Sequence, residues 1–303
     1  MADELIFHHY DTSPFSEKVR LLFGAKGLAW RSVIQPTIMP KPDLVPLTGG
    51  YRRIPVMQIG ADVFCDTQVI MAELVRRTGD RDLEKGGGFA VNFWADRLFF
   101  QPAVAVIFGE IGDNVPKAFK DDREKLSGRP FDTAAMKAAG PPMQAQWRAH
   151  AAWIEGALGD QPFLAGDKPA IADFAAYMNI WFMGGAVPQV TDALLAGLER
   201  TIAWRARVAA IGHGQRKEMK PADALRVAAA AEPAPYTDHD PKDPLGVQPG
   251  DAVKIVADDY GREPIAGALV AANPHRVVIA RDDPTLGRVH NHFPRAGYML
   301  MPG

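Results

Sequence analysis

The chain has a single cysteine, Cys65, so no internal disulfide can form and a reducing compartment is expected. It also lacks a basic excess, since 34 Lys and Arg stand against 36 Asp and Glu. Nucleic acid and anionic membrane surfaces both demand a cationic face, so neither is an expected partner. No apolar run approaches the ~20 residues that cross a bilayer, and the start, MADELIF, carries acids where a secretory leader carries bases. The expectation is a cytoplasmic protein. Glycine-rich phosphate loops, paired zinc-binding cysteines and Gly-x-Ser-x-Gly turns are absent as well.

What is present is a length of 303 residues, enough for two or three domains. The stretch Leu5 to Arg20 joins a short buried-strand pattern (Leu5, Ile6, Phe7) to a turn (Asp11 to Pro14) and then to a helix. Pro14 suits a helix start, and Phe15, Val19, Leu22 and Phe23 recur at helical spacing. Ser13 thus sits at a helix N-terminus, either as a plain N-cap or beside an anionic ligand held by the free amides. Trp30 to Gln35 alternates like a strand, and a proline-rich stretch from Pro36 to Pro46 then reads as a loop. Val56 to Ile59 and Asp62 to Cys65 flank a Gly60-Ala61 turn as a hairpin, and Thr67 to Arg77 reads as a helix. His8 and His9 point to opposite strand faces, so they are not expected to chelate one metal. Cys65 ends an apolar strand and reads as a buried small residue.

Gly86-Gly87-Gly88 marks a linker, beyond which the composition becomes helical. Phe89 to Gly109 reads as one long helix that Pro102 kinks or divides, and further helices are expected at 151–158, 171–182, 193–208 and 222–231. A second proline-rich linker, 232–249, precedes three strand-like runs within 252–280, which suggest a small antiparallel barrel. His290 and His292 share a strand face there, but no cysteine or carboxylate lies at ligand spacing nearby, so no metal is expected.

Ser13-Pro14-Phe15-Ser16 resembles the active-site turn of the glutathione transferase superfamily, in the variants where serine replaces the first cysteine. The strand, helix, strand, hairpin, helix order resembles the thioredoxin-like domain of that family, with Ile54-Pro55 at the place of its cis-proline. Asp66-Thr67, opening the next helix, resembles the pair that holds the γ-glutamyl end of glutathione. Phe163 to Asp173 is similar to the capping segment of the family's helical domain, with Ala170 where Ser or Thr is usual. The resemblance implies a multi-domain α/β plus α chain: a thioredoxin-like domain at 1–80 and an all-helical domain at 89–232. It does not reach the antiparallel β unit expected at 245–303. It further implies reduced glutathione as co-substrate and a small apolar electrophile. Ser13 is implied as the catalytic group activating the thiol, with Ser16 as its substitute. Ile54, Pro55, Val56, Asp66 and Thr67 are implied to bind the tripeptide, Arg52 or Arg53 to meet its glycine carboxylate, and a homodimer to be the assembly. The alternative is a non-catalytic binding or scaffold protein that docks a partner through the β unit.

If Thr67 and Asp66 hold the γ-glutamyl group, Thr67→Ala should weaken glutathione binding by about 1–3 kcal/mol in a calorimetric titration. Unchanged affinity in both Thr67→Ala and Asp66→Ala would sink that assignment.

Overall fold

The computed structural model describes residues 4–303. The chain opens with β1 (Ile6–His9), α1 (Pro14–Ala25), β2 (Ala29–Ile34), the short α2 (Val45–Thr48), β3 (Val56–Ile59), β4 (Asp62–Cys65) and α3 (Thr67–Thr78). β1 runs parallel to β2 and antiparallel to β3, which pairs antiparallel with β4. This is the thioredoxin-like order. The apolar stripe of α1 packs on one sheet face, where the Phe23 and Trp30 rings stack at 5.1 Å. His8 and His9 are fully buried and engaged separately: His8 with Gln58 at 3.0 Å, His9 with the Ser32 hydroxyl at 3.0 Å. Burial pushes the two imidazoles down to about 4 and about 3, which keeps them neutral packing residues.

The helical layer comprises α4 (Gly88–Trp94), α5 (Phe100–Ile111), α6 (Lys117–Ser127), α7 (Thr133–Ala138), α8 (Gly140–Leu158), α9 (Ile171–Ala186), α10 (Pro188–Leu195) and α11 (Glu199–Ala209). The expected long helix is divided as Pro102 requires. A π-helical turn, Ala95–Phe99, separates α4 from α5 just upstream of the proline, whose missing N–H and ring disturb the preceding ladder. The expected helix at 193–208 is likewise two helices, parted at Gly197, whose φ of 82° no continuous helix tolerates. α6 and α7 were not foreseen, because their charged, alanine-rich sequences carry too few apolar residues to show a period. Asp173 caps α9 alone, accepting from the amides of Leu164 (2.8 Å) and Ala170 (3.0 Å) and from the Trp204 indole (2.7 Å).

Two expectations about domain limits are corrected. Residues read as the end of the helical domain instead return to the first sheet: β5 (Gln215–Glu218) pairs parallel with β2, and α12 (Pro221–Ala229) seals Ile6 and Val33 beneath Ala224. Nor do the C-terminal strands close a separate barrel. β6 (Ala252–Ala257), β7 (Ile265–Ala272), β8 (Arg276–Asp283), β9 (Gly287–Pro294) and β10 (Tyr298–Pro302) form an antiparallel array in the order β10-β6-β7-β8-β9, and β9 then pairs parallel with β4. One ten-stranded sheet results. Alternating apolar residues announce a strand with a buried face but not the edge it pairs with, so this junction was not legible in advance. Val56, Val63 and Cys65 share one core with Val277, Ile279, Val289 and Phe293.

Because β4 and this shared core depend on β9, truncation after Pro241 should abolish the cooperative melt near the full chain's Tm and leave the protein prone to aggregation. A truncated chain that stays soluble and melts as the parent does would show that the first sheet is self-sufficient.

Candidate active site

The mouths of α1 and α3 lie on the same side of the molecule, flanking the cis Ile54-Pro55 bond. At α1, Ser13 is the N-cap, and its Oγ accepts from the Ser16 amide at 3.1 Å. Only 1% of Ser13 is exposed. The Ser13 amide donates to the Tyr10 carbonyl at 3.1 Å, and burial makes the Tyr10 phenol harder to ionise. A cavity of about 340 Å³ opens beside this helix end; Tyr10, Thr12, Pro14 and Phe15 line it, whereas Ser13 and Ser16 do not. Ser16 is buried, and its hydroxyl has no partner among the described residues. The hydroxyl-bearing residues of this helix end that line the cavity are therefore Tyr10 and Thr12.

The remaining wall of this cavity is aromatic, with Phe100, Phe108 and Phe119 among its residues, and one rim is cationic. There Lys41 is 4% exposed, donates to the Arg52 carbonyl at 2.9 Å, and is pushed down to about 8 by burial with Arg123 and Arg52 close by. Arg52 and Arg123 both pair with Asp122. Arg52 thus belongs to this rim and is not a contact of α3.

A second cavity, about 40 Å³, adjoins the first across Phe15, Arg53, Ile54 and Tyr260. Pro55, Asp66 and Thr67 border it together with Gln68, so the structure brings these three expected residues together and adds a fourth. Asp66 caps α3, accepting from the Gln68 amide at 2.8 Å, and is the only non-glycine with positive φ (93°) among the described residues. Such a backbone costs on the order of 1–3 kcal/mol and persists where the surroundings enforce it. Val56 borders neither cavity. It is fully buried, in register with His8 on one side and Cys65 on the other, and Ile54 is the residue that borders both cavities. Cys65 is fully buried, and burial pushes its thiol well above the usual range, which leaves it an unreactive core residue.

Sequence reasoning missed the C-terminal contribution. The loop after β6 reaches over the second cavity: Asp259 pairs with Arg53, the Arg53 guanidinium lies 4.0 Å from the Tyr260 ring, and Arg97 binds Asp258 at 2.6 Å. From β10, the Tyr298 hydroxyl donates to Asp66 at 3.0 Å, and the Gln68 amide donates to the Ala296 carbonyl at 3.2 Å. In sequence, Asp258-Asp259-Tyr260 reads only as a polar turn between strands. Opposite them, Asp96 accepts from the buried Lys18 at 2.5 Å, and its burial still holds the carboxyl up at about 6.

Two family models match the sequence: "Glutathione S-transferase, N-terminal domain" over residues 7–82 and "Glutathione S-transferase, C-terminal domain" over 113–207. No curated protein matches significantly. Among solved structures, a GST-like protein from Pseudomonas syringae is 34% identical, covers all of both chains and superposes with a TM-score of 0.82. Poplar glutathione transferase F1 is 14% identical over 69% of this chain and 93% of its own, with a TM-score of 0.52. FzlA from C. crescentus is 22% identical over 76% of this chain and 94% of its own, with a TM-score of 0.51. These two share the fold; neither aligns with the whole chain.

Ser13 caps α1 through the Ser16 amide, so Ser13→Ala should lower stability by about 1 kcal/mol in urea denaturation, the usual cost of a lost N-cap. A variant as stable as the parent would mean that the cap is dispensable.

Proposed function

From the premise that the chain belongs to the glutathione S-transferase family, we propose that it binds reduced glutathione and presents the thiol to an apolar electrophile. The observation that carries this reading is the juxtaposition of the 340 Å³ aromatic cavity with the α1 N-terminus and with the Ile54-Pro55, Asp66-Thr67 groove. A cavity of that size suits a small ligand. The γ-glutamyl carboxylate would take the free amides and hydroxyl at the start of α3, and its ammonium would face Asp66. Ile54 would offer its backbone to the cysteinyl residue, which leaves the sulfur near Tyr10 and Thr12. A thiol of pKa ~8.5 is only a few per cent ionised at neutral pH, and each unit of lowering is worth about 1.4 kcal/mol. The helix end and the two hydroxyls stabilise the thiolate left when the S–H proton passes to solvent; its attack forms the carbon–sulfur bond while a leaving group departs with its electron pair or, in an addition, the electrophile's π bond opens and takes up a proton. In this scheme Ser13 caps α1 behind the cavity wall and does not touch sulfur, and Ser16 is buried further back. Arg53 remains the candidate for the glycine carboxylate, which would replace Asp259. A cytoplasmic homodimer accompanies this reading. No helix among the described residues is long and apolar enough to cross a membrane.

One observation favours a second reading, a non-catalytic scaffold that retains the fold. The groove beside Thr67 holds 40 Å³, room for a few waters at roughly 10–15 Å³ each by this measure, and too little for a tripeptide while Asp259 and Tyr260 stay in place. Under the first reading the loop must move aside, and the apparent affinity is reduced by the fraction of molecules in the closed arrangement.

Calorimetric titration with reduced glutathione separates the readings. The enzyme reading expects saturable binding, tighter by about tenfold or more in Tyr260→Ala if the closed arrangement costs at least ~1.4 kcal/mol, and turnover with a generic electrophile. Absence of binding in both folded proteins would leave the scaffold reading standing, and binding without turnover would leave a glutathione-binding protein that is not a transferase.

A further inference from the structure

Asp62, His290 and His292 meet where β4 and β9 pair, away from both cavities. Asp62 is in register with His290, and His292 lies two residues along the same strand, so all three side chains project from one sheet face. One potential ligand atom from each lies within 4.8 Å of the other two. The His292 Nε2 is 2.8 Å from Asp62 Oδ1, an ordinary hydrogen bond. His290 is different. Its Nδ1 faces the same oxygen at 3.8 Å, too far for a hydrogen bond, and is buried with no partner among the described residues. A buried imidazole nitrogen left without a partner beside a carboxylate is costly, and a cation shared by the two would satisfy both.

From this geometry we propose that Asp62, His290 and His292 bind a divalent first-row metal ion, with Zn²⁺ as the natural probe. Metal bonds of about 2.0–2.2 Å at a tetrahedral angle place neighbouring ligand atoms about 3.3 Å apart. The observed 2.8 and 3.8 Å lie on either side of that value and the two imidazole nitrogens lie within 4.8 Å of each other, so side-chain rotations without backbone movement bring the three atoms to that spacing. Two imidazoles and one carboxylate are a donor set that suits such ions.

The surroundings fix the ligands. The other Asp62 oxygen accepts from the Ala234 amide at 2.8 Å, the Phe64 ring stacks on His292 at 4.3 Å, and Tyr236 meets it edge-on at 5.9 Å. The proline-rich linker thus crosses over the cluster. Outer contacts of this kind orient metal ligands. Three protein ligands leave a fourth position open, and because they come from β4 and β9 the ion would fasten the C-terminal strands to the thioredoxin-like domain. The carboxylate escaped the sequence reading because it lies 230 residues from His292. This proposal does not depend on glutathione binding.

The test uses the full-length, tag-free chain after chelator treatment. Zn²⁺ is titrated calorimetrically, Co²⁺ binding is followed by its visible absorption, and Tm is read with and without Zn²⁺. The expected result is one ion per chain, a Co²⁺ spectrum of the intensity of a four- or five-coordinate site, and a raised Tm. His290→Gln, which alters the least buried ligand, and Asp62→Asn should each weaken binding by about tenfold or more. Wild-type protein that leaves the Co²⁺ spectrum at its aqueous form would overturn the proposal. So would binding of equal affinity in the parent and both variants, which would place the ion elsewhere on the surface.

Discussion

The parallel pairing of β9 with β4 is the constraint on which the rest of the molecule depends. In a thioredoxin-like domain β4 is an edge strand, and an exposed edge carries a row of unpaired amides and carbonyls open to other chains. Here that edge is filled from within the same chain, at Asp62, Val63 and Phe64. The pairing fixes the C-terminal array in position and in depth. Asn291, opposite Val63, donates to the Leu47 carbonyl at 2.9 Å and accepts from Arg281 at 2.7 Å, while Arg281 donates to the Pro46 carbonyl at 2.8 Å. Behind it, Arg276 is buried against Glu73 of α3 at 3.2 Å. A buried ion pair adds little net stability, but losing one partner costs several kcal/mol, so such pairs hold the register they were built in.

With β9 fixed, the two ends of the C-terminal array are carried over the groove. β10 places Tyr298 against Tyr51 (3.2 Å between hydroxyls) and Asp66, and the turn after β6 places Asp259 and Tyr260 against Arg53. A unit added to the far edge of the sheet thereby becomes a wall of the site at the mouths of α1 and α3. The helical layer is tied to the same place from the other side through Lys18, which donates to Asn92 at 2.6 Å and to Asp96 at 2.5 Å.

Much of the first domain could be read from the sequence because its signals are local. Pro14 and Ser13 mark a helix start, the Gly60-Ala61 turn marks a hairpin, and the order of elements does the rest. The grouping of Ile54, Pro55, Asp66 and Thr67 came from the resemblance to the glutathione transferase superfamily, which that order supports. The roles within the site were less legible. A serine at a helix start can turn its oxygen to the helix or to a ligand, and Ser13 does the first; a strand residue after proline can face a groove or a neighbour strand, and Val56 does the second. What the sequence hid altogether were contacts between distant segments: β9 on β4, Tyr260 on Arg53, His290 beside Asp62. Each needs two residues that no periodicity connects.

The covering of the groove is not uniform in strength, and this decides where access is controlled. Tyr298 gives the Asp66 carboxylate a charge-assisted hydrogen bond, worth about 1.5–3 kcal/mol net, and a ligand ammonium would add an ion pair to the same group. A carboxylate has about four acceptor positions, and Asp66 uses one for the Gln68 amide and one for Tyr298, so an ammonium can join without expelling either. Tyr298 therefore shapes the groove and does not shut it. Asp259 is another matter. It holds Arg53 by charge in a setting where Asp259 is 17% and Arg53 12% exposed, and Tyr260 covers the same guanidinium. A ligand carboxylate can take that place only by returning Asp259 to water, an exchange of one anion for another. The control of entry thus resides in the turn between β6 and β7, on a segment that the thioredoxin-like domain does not itself encode.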